Sequence, residues 1–174
     1  MLEDRGVLVF DQPTIATRAR QTYLAVATKV TMEGFDVVQG LTDEVFAWLS
    51  HHGVAPSGPP FVRIVTSDMT AELDIEVGVL VDDPPSGDDR VIIGAVPAGS
   101  YATLIYTLTD ENDHYQSNVE IQAWAANEGL EWDIDRASGT DVWVARFEFF
   151  RKDLSSDDTQ VFELTYKVAN DSVR

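Results

Sequence analysis

Apolar positions along this chain follow two rhythms, a period of two and a period of three to four, and the order in which the rhythms appear is repeated. Residues 23–30 (YLAVATKV) are β-branched, aromatic or small and predict a strand. After a turn at residues 32–34, Val37, Leu41, Val45, Trp48 and Leu49 fall at helical spacing, and Gly53 stands where the helix should end. Residues 54–60 (VAPSGPP) are loop by composition, and residues 61–66 and 73–81 then predict two strands joined around residues 67–71. The second of these alternates, with Leu73, Ile75, Val77 and Val79 on one side and Asp74 and Glu76 on the other.

Past the turn-rich stretch DDPPSGDD at residues 82–89 the pattern begins again. Residues 91–96 and 101–108 predict strands, and the acidic loop 110–113 leads to a second helix. Ser117 and Glu120 have the form of a capping box there, and Gly129 is placed to close the last turn. Residues 143–150 and 161–168 complete the series as strands. The ends of the two helices align, Ala47, Trp48 and Gly53 with Ala123, Trp124 and Gly129, and Glu76 and Glu163 each sit on the last strand of a half. The expectation is one α+β domain over residues 1–174. In it, duplicated β-α-β-β units (about 22–82 and 90–168) form one antiparallel sheet with helices on one face and a ligand groove on the other. Residues 1–21 are an N-terminal extension or strand.

Composition narrows the function. The 174 residues carry 30 Asp and Glu against 12 Lys and Arg, a net charge of −18, so the surface repels phosphate backbones and anionic lipids. That speaks against direct nucleic-acid or membrane binding; it leaves a salt-adapted surface, or a patch for a protein partner with a basic surface. With no Cys, disulfides, thiolate chemistry and sulfur-ligated metal are excluded. The N-terminus has no secretory pattern and no stretch reaches the ~20 apolar residues of a membrane span, so a cytoplasmic location is expected. No cofactor or metal is expected: His51 and His52 diverge at a helix end, His114 lies in an acidic loop, and no nucleotide, nucleophile-elbow or calcium-loop motif is present.

The candidate site rests on strand parity. If Trp143, Ala145, Phe147 and Phe149 pack under a helix, then Val144, Arg146, Glu148 and Phe150 face the groove. A carboxylate among rings loses solvation, which raises its pKa unless a cation or donors compensate, and so favours a cationic or hydrogen-bonding ligand or a general acid or base. A wet strand face with Glu148 paired to Arg146 is the plainer alternative. Glu163 is a second such carboxylate. Tyr101 and Tyr106, five apart on one strand, point to opposite faces, so one of them lines the groove.

The segments GPPFVRIV, LDIEVGVLV, VPAGSYATLIYT, AWAANEGL, WVARFEFF and VFELTYKV, in this order, resemble the GyrI-like small-molecule-binding domain, the effector-binding domain of AraC- and MerR-type regulators. The resemblance runs from about residue 23 to 168. It implies a regulatory-factor-like fold of paired β-α-β-β units and a groove in which a buried glutamate, here Glu148, meets hydrophobic, aromatic or cationic molecules. Glu163 would be the second carboxylate and Tyr101 an aromatic wall. Some relatives hydrolyse electrophilic compounds and others bind DNA gyrase, so hydrolysis by a glutamate base and an acidic gyrase inhibitor are the competing expectations. No helix-turn-helix pattern is found, which points to a stand-alone form, and Phe150 stands where relatives often carry a tyrosine.

Overall fold

The structure is a computed structural model that describes residues 9–31, 33–66 and 72–170. In chain order it contains β1 (Val9–Phe10), β2 (Thr14–Arg18), β3 (Gln21–Val30), α1 (Val37–His51), β4 (Pro60–Ile64), β5 (Leu73–Leu80), β6 (Ile92–Val96), β7 (Gly99–Leu108), α2 (Asp113–Asn127), β8 (Ile134–Asp135), β9 (Val142–Trp143), β10 (Arg146–Phe150) and β11 (Gln160–Lys167). The turn at residues 67–71 and residue 32 lie outside the described residues.

Two β-α-β-β runs, β3-α1-β4-β5 and β7-α2-β10-β11, build one antiparallel sheet in the order β1-β7-β11-β10-β4-β5-β3-β6, with β2 also on β7. The order is symmetric about β10 and β4, which meet at the seam with Glu148 opposite Val62. One residue from that central pair, Glu163 lies opposite Phe149 in one half and Glu76 opposite Arg63 in the other. The two glutamates therefore occupy matching places in the two units.

Both helices lie on one face. Val45 and Leu49 of α1 pack on Leu24, Val26 and Val79, while Ile121 of α2 packs on Ala102, Leu104, Tyr106 and Leu164. The row Val26, Val77, Val62, Glu148, Leu164 and Leu104 runs across six strands through direct cross-strand pairs, so these side chains share the helix face. The other face is the inside of a curl. β2 runs into β3 across two residues, Ala19 and Arg20, and β6 into β7 across Pro97 and Ala98, so short links draw opposite edges of the sheet together. Inside the curl Tyr23, Phe61, Phe147 and Phe149 pack edge to face or stacked at 4.8–6.0 Å between ring centres.

Two expectations need correction. The helix α2 starts at Asp113, four residues before Ser117, whose hydroxyl is buried within the helix and donates to the Asp113 carbonyl at 2.7 Å; no capping box forms. Instead Asp113 Oδ2 takes hydrogen bonds from Thr109 N, Thr109 Oγ1 and Asp110 N at 2.6, 2.6 and 2.8 Å and fixes the turn into the helix. The strand expected over residues 143–150 is broken at Val144 and Ala145. This break resets the parity. Trp143 packs with α2, but Phe147 and Phe149 belong to the inside of the curl, and Arg146, Glu148 and Phe150 join Trp143 on the helix face. Glu148 therefore does not look into the helix-free groove.

Candidate functional site

On the helix-free side the curl is closed by its own rings over most of its length and stays open at one end. A cavity of about 700 Å³ lies there, with Leu80, Phe149 and the prolines of the loop before β4 as apolar wall and Arg18, Arg151, Lys152, Asp153 and Glu163 as charged rim. The proline loop ends one half's helix and the residues after Phe150 connect β10 to β11, so both units contribute to the opening.

Glu163 and Asp153 are the carboxylates of this cavity, and both are already engaged; Asp153 accepts from Arg151 Nε and Nη2 at 2.9 and 2.7 Å. Arg151 Nη1 donates to Glu163 Oε1 at 3.1 Å, Thr165 Oγ1 donates to Glu163 Oε2 at 3.2 Å, and Arg18 Nη1 stands 4.0 Å away. Arg18 lies over the Phe149 ring at 4.9 Å and donates to Gln21 Oε1 at 2.7 Å, tying β2 to β3 across the curl. Among the described residues Lys152 has no carboxylate at ion-pair distance; its ammonium sits 5.2 Å from the Phe46 ring. Deeper inside, Arg63 Nη1 donates to Glu76 Oε2 at 2.8 Å and Tyr23 donates to Glu76 Oε1 at 2.9 Å, a buried triad that fills the part of the curl matching Glu163. Burial first, and then the Glu76 charge, push the Tyr23 hydroxyl up, so it remains a donor.

Of the two tyrosines on β7, Tyr101 faces the inside of the curl. It is fully buried, donates to the Pro97 carbonyl at 2.6 Å, and burial pushes its hydroxyl up to about 12; it braces the β6–β7 link behind the cavity. Tyr106 faces the helices. There its hydroxyl donates to Glu148 Oε1, and His114 Nδ1 lies 2.6 Å from the hydroxyl and 3.0 Å from the same carboxylate oxygen. Phe162 stacks on Tyr106 at 5.7 Å and stands 5.3 Å from Phe150. Arg146 lies between Trp143 and Tyr166, 4.7 Å from each ring, and donates to Asn118 Oδ1 at 3.1 Å.

The predicted residues thus divide between two places. Glu163 lines the cavity and Tyr101 is buried on the same face of the sheet without lining it, while Glu148, Tyr106, Arg146 and Phe150 gather on the opposite face of the same strands. Sequence reading missed Arg18, Lys152, the Arg63–Glu76–Tyr23 triad and His114. Arg18 lies on an edge strand with weak patterning; His114 enters because α2 begins at Asp113, which no residue pattern around Ser117 signals.

The fold is that of several solved structures of low identity. The cryo-EM structure of the EcmrR–DNA complex matches with a TM-score of 0.74 at 12% identity, over 92% of this chain and 58% of that one, so this chain spans a little over half of that protein's length. The crystal structure of the EcmrR C-terminal domain matches at 0.69 and 11% identity over 91% of this chain and 98% of that domain. SAV2435 bound to tetraphenylphosphonium matches at 0.60 and 9% identity over 91% and 94%. No curated protein matches the chain. The sequence profile of the GyrI-like small molecule binding domain matches residues 11–136, and by that match, together with the paired β-α-β-β sheet, the chain belongs to the GyrI-like family of small-molecule-binding domains.

Proposed function

We propose that the protein binds a small amphipathic molecule in the helix-free groove, with the apolar part against Leu80, Phe149 and the prolines and the polar end at Arg18, Lys152 and Glu163. The observation that carries this reading is the cavity of about 700 Å³, apolar along its wall and polar at one rim, within the size range of small-molecule sites. Its electrostatics favour a ligand that is uncharged or anionic at its polar end. The two rim carboxylates, Glu163 and Asp153, are met by the two arginines, Arg18 and Arg151, so their charges are spent inside the protein, whereas Lys152 lacks a carboxylate partner among the described residues. SAV2435, alike in fold, is bound to tetraphenylphosphonium; in this chain both carboxylates lining the groove are engaged by arginine.

A fluorescence titration with 8-anilinonaphthalene-1-sulfonate, an apolar ring system with one anionic group, tests the assignment. Lys152→Glu reverses the rim charge at an exposed position and should weaken binding at least fivefold, and Arg18→Gln should act in the same direction. Equal affinity in both variants refutes the site.

A further inference from the structure

The sheet ends at β6, which has β3 on one side and, among the described residues, no strand on the other. Which of its backbone groups are left over follows from the ladder. Val81 N donates to the Thr22 carbonyl at 3.0 Å, so Thr22 and Leu24 turn their backbone groups to β5, while Gln21, Tyr23 and Ala25 turn theirs to β6. Their partners there are Val96, Gly94 and Ile92. Val91, Ile93 and Ala95 therefore aim N–H and C=O at the open edge. Val91 is capped, because its N–H donates to Asp88 Oδ1 at 2.7 Å and its carbonyl accepts from Asp88 N at 2.9 Å. Beyond Ala95 the next residue of that phase is Pro97, which has no N–H. Among the described residues the edge groups of Ile93 and Ala95 have no partner. The open stretch is thus short, bounded at both ends and symmetric about Gly94. Natural edges are usually blunted by a lysine, an inward charge or a bulge. This one presents Ile93, 47% exposed, and Ile92, 38% exposed, and residues 91–99 hold no charge in a chain of net −18.

We infer that β6 pairs with β6 of a second copy of this chain, antiparallel about a two-fold axis through Gly94. In that register Ile93 lies opposite Ala95 of the second copy and Ala95 opposite its Ile93, so every outward N–H and C=O of one edge meets its complement on the other. Gly94 stands on the axis, where the two strands approach most closely, and puts no side chain there. The inner side at this point is already filled by the Tyr23 ring, 2.3 Å from where a Gly94 Cβ would lie. Ile93 pairs with Leu24 and so takes the helix face, where it covers the small Ala95 of the second copy. Charge selects both this partner and this direction. Antiparallel pairing sets Asp89 and Arg90 of each copy against Gly99 and Ala98 of the other, whereas parallel pairing brings the two Asp89 side chains together. Outside this uncharged edge, two chains of net −18 repel. The contact is small beside the ~800 Å² per partner of a standard interface, so the dimer is a weak one.

Sedimentation velocity of the whole chain between about 10 μM and about 1 mM should show monomer giving way to dimer. Association should be at least fivefold tighter at about 0.5 M NaCl than at about 0.02 M, because screening removes the long-range repulsion. Ala95→Pro takes away an outward donor and no bond to β3, and Ile93→Lys places a charge on the edge. Each should weaken association at least tenfold, with a melting temperature within a few degrees of the unsubstituted protein. Between the low and the high concentration, amide hydrogen exchange should slow at Ile93 and Ala95 but not at Val91, which is already capped. A chain that stays monomeric at the highest concentration and salt, or a dimer that survives Ile93→Lys undiminished, overturns the proposal. So does a synthetic extended peptide that slows exchange at Ile93 and Ala95 while the chain stays monomeric, which would give the edge to a partner of another kind.

Discussion

At the scale of single residues, the inside of the curl shows how a charged pair is kept within an aromatic core. Glu76 and Arg63 are directly opposed on β5 and β4, and the Tyr23 hydroxyl bridges them at 2.9 and 3.0 Å. Removing only the cation leaves a buried carboxylate with one neutral donor, so Arg63→Met should cost about 3 kcal/mol in urea unfolding. Replacing both charges, Arg63→Met with Glu76→Leu, should recover at least half of that loss, since an apolar pair of similar volume avoids the desolvation penalty. A double variant no better than the single one would show that the pair contributes through geometry rather than charge. The alternation of β5 placed Glu76 on the polar side of its strand, and in that sense it was legible. That this side is the inside of a curl was not, because curvature arises from links such as Ala19–Arg20 and Pro97–Ala98, which carry no periodic signal.

Among the elements, the decisive feature is the break between β9 and β10. Alternation is a reliable guide to which face a side chain takes only while the strand is continuous, and a break that shifts the phase by one residue, as the one at Val144 and Ala145 does, reverses every assignment that follows. Parity read from Trp143 puts Glu148 on the groove side; parity read from Phe147, after the break, puts it with the helices. Both helices and the second-half strands could be found from their rhythms, and Gly53 and Gly129 do end α1 and α2 with φ of +65° and +69°. The start of α2 could not, because the signal is an aspartate reaching backward to Thr109 rather than a serine reaching forward. Asp113→Ala removes three hydrogen bonds at that turn and should destabilise the protein by about 1 kcal/mol, the usual worth of a lost cap. The Thr109 hydroxyl, the largest contributor, holds the Asp113 pKa below the usual carboxylate value. The stabilisation is therefore complete above the unfolded carboxyl's pKa and lost as pH falls through the lowered folded value. The melting difference between the two proteins should accordingly close in acid, and a difference that grows there would contradict the assignment.

For the whole molecule, the charge imbalance sets the conditions under which the groove operates. With 30 acidic against 12 basic residues, most carboxylates have no cation to meet, and several of the cations are spent on the groove rim and the inside of the curl, as Arg18, Arg63, Arg151 and Lys167 show. The outer surface is left to repel itself. Compaction under such repulsion costs free energy that salt removes, because the screening length falls from about 30 Å at 0.01 M to about 3 Å at 1 M. The close pairs inside the curl are only weakly screened, so the net effect of salt on stability should be favourable. Raising NaCl from 0.01 to 1 M should lift the melting temperature by several degrees, and equal ionic strengths of NaCl and KCl should act alike if screening is the cause. A melting temperature that falls with salt would mean that exposed ion pairs, such as Glu44 with Arg90, outweigh the repulsion. The same titration bears on the groove. The acidic surface as a whole repels an approaching anion, so salt should strengthen binding of the sulfonate probe. An affinity that falls with salt would mean that the rim cations Arg18 and Lys152 outweigh the surrounding carboxylates at the distance the anion approaches.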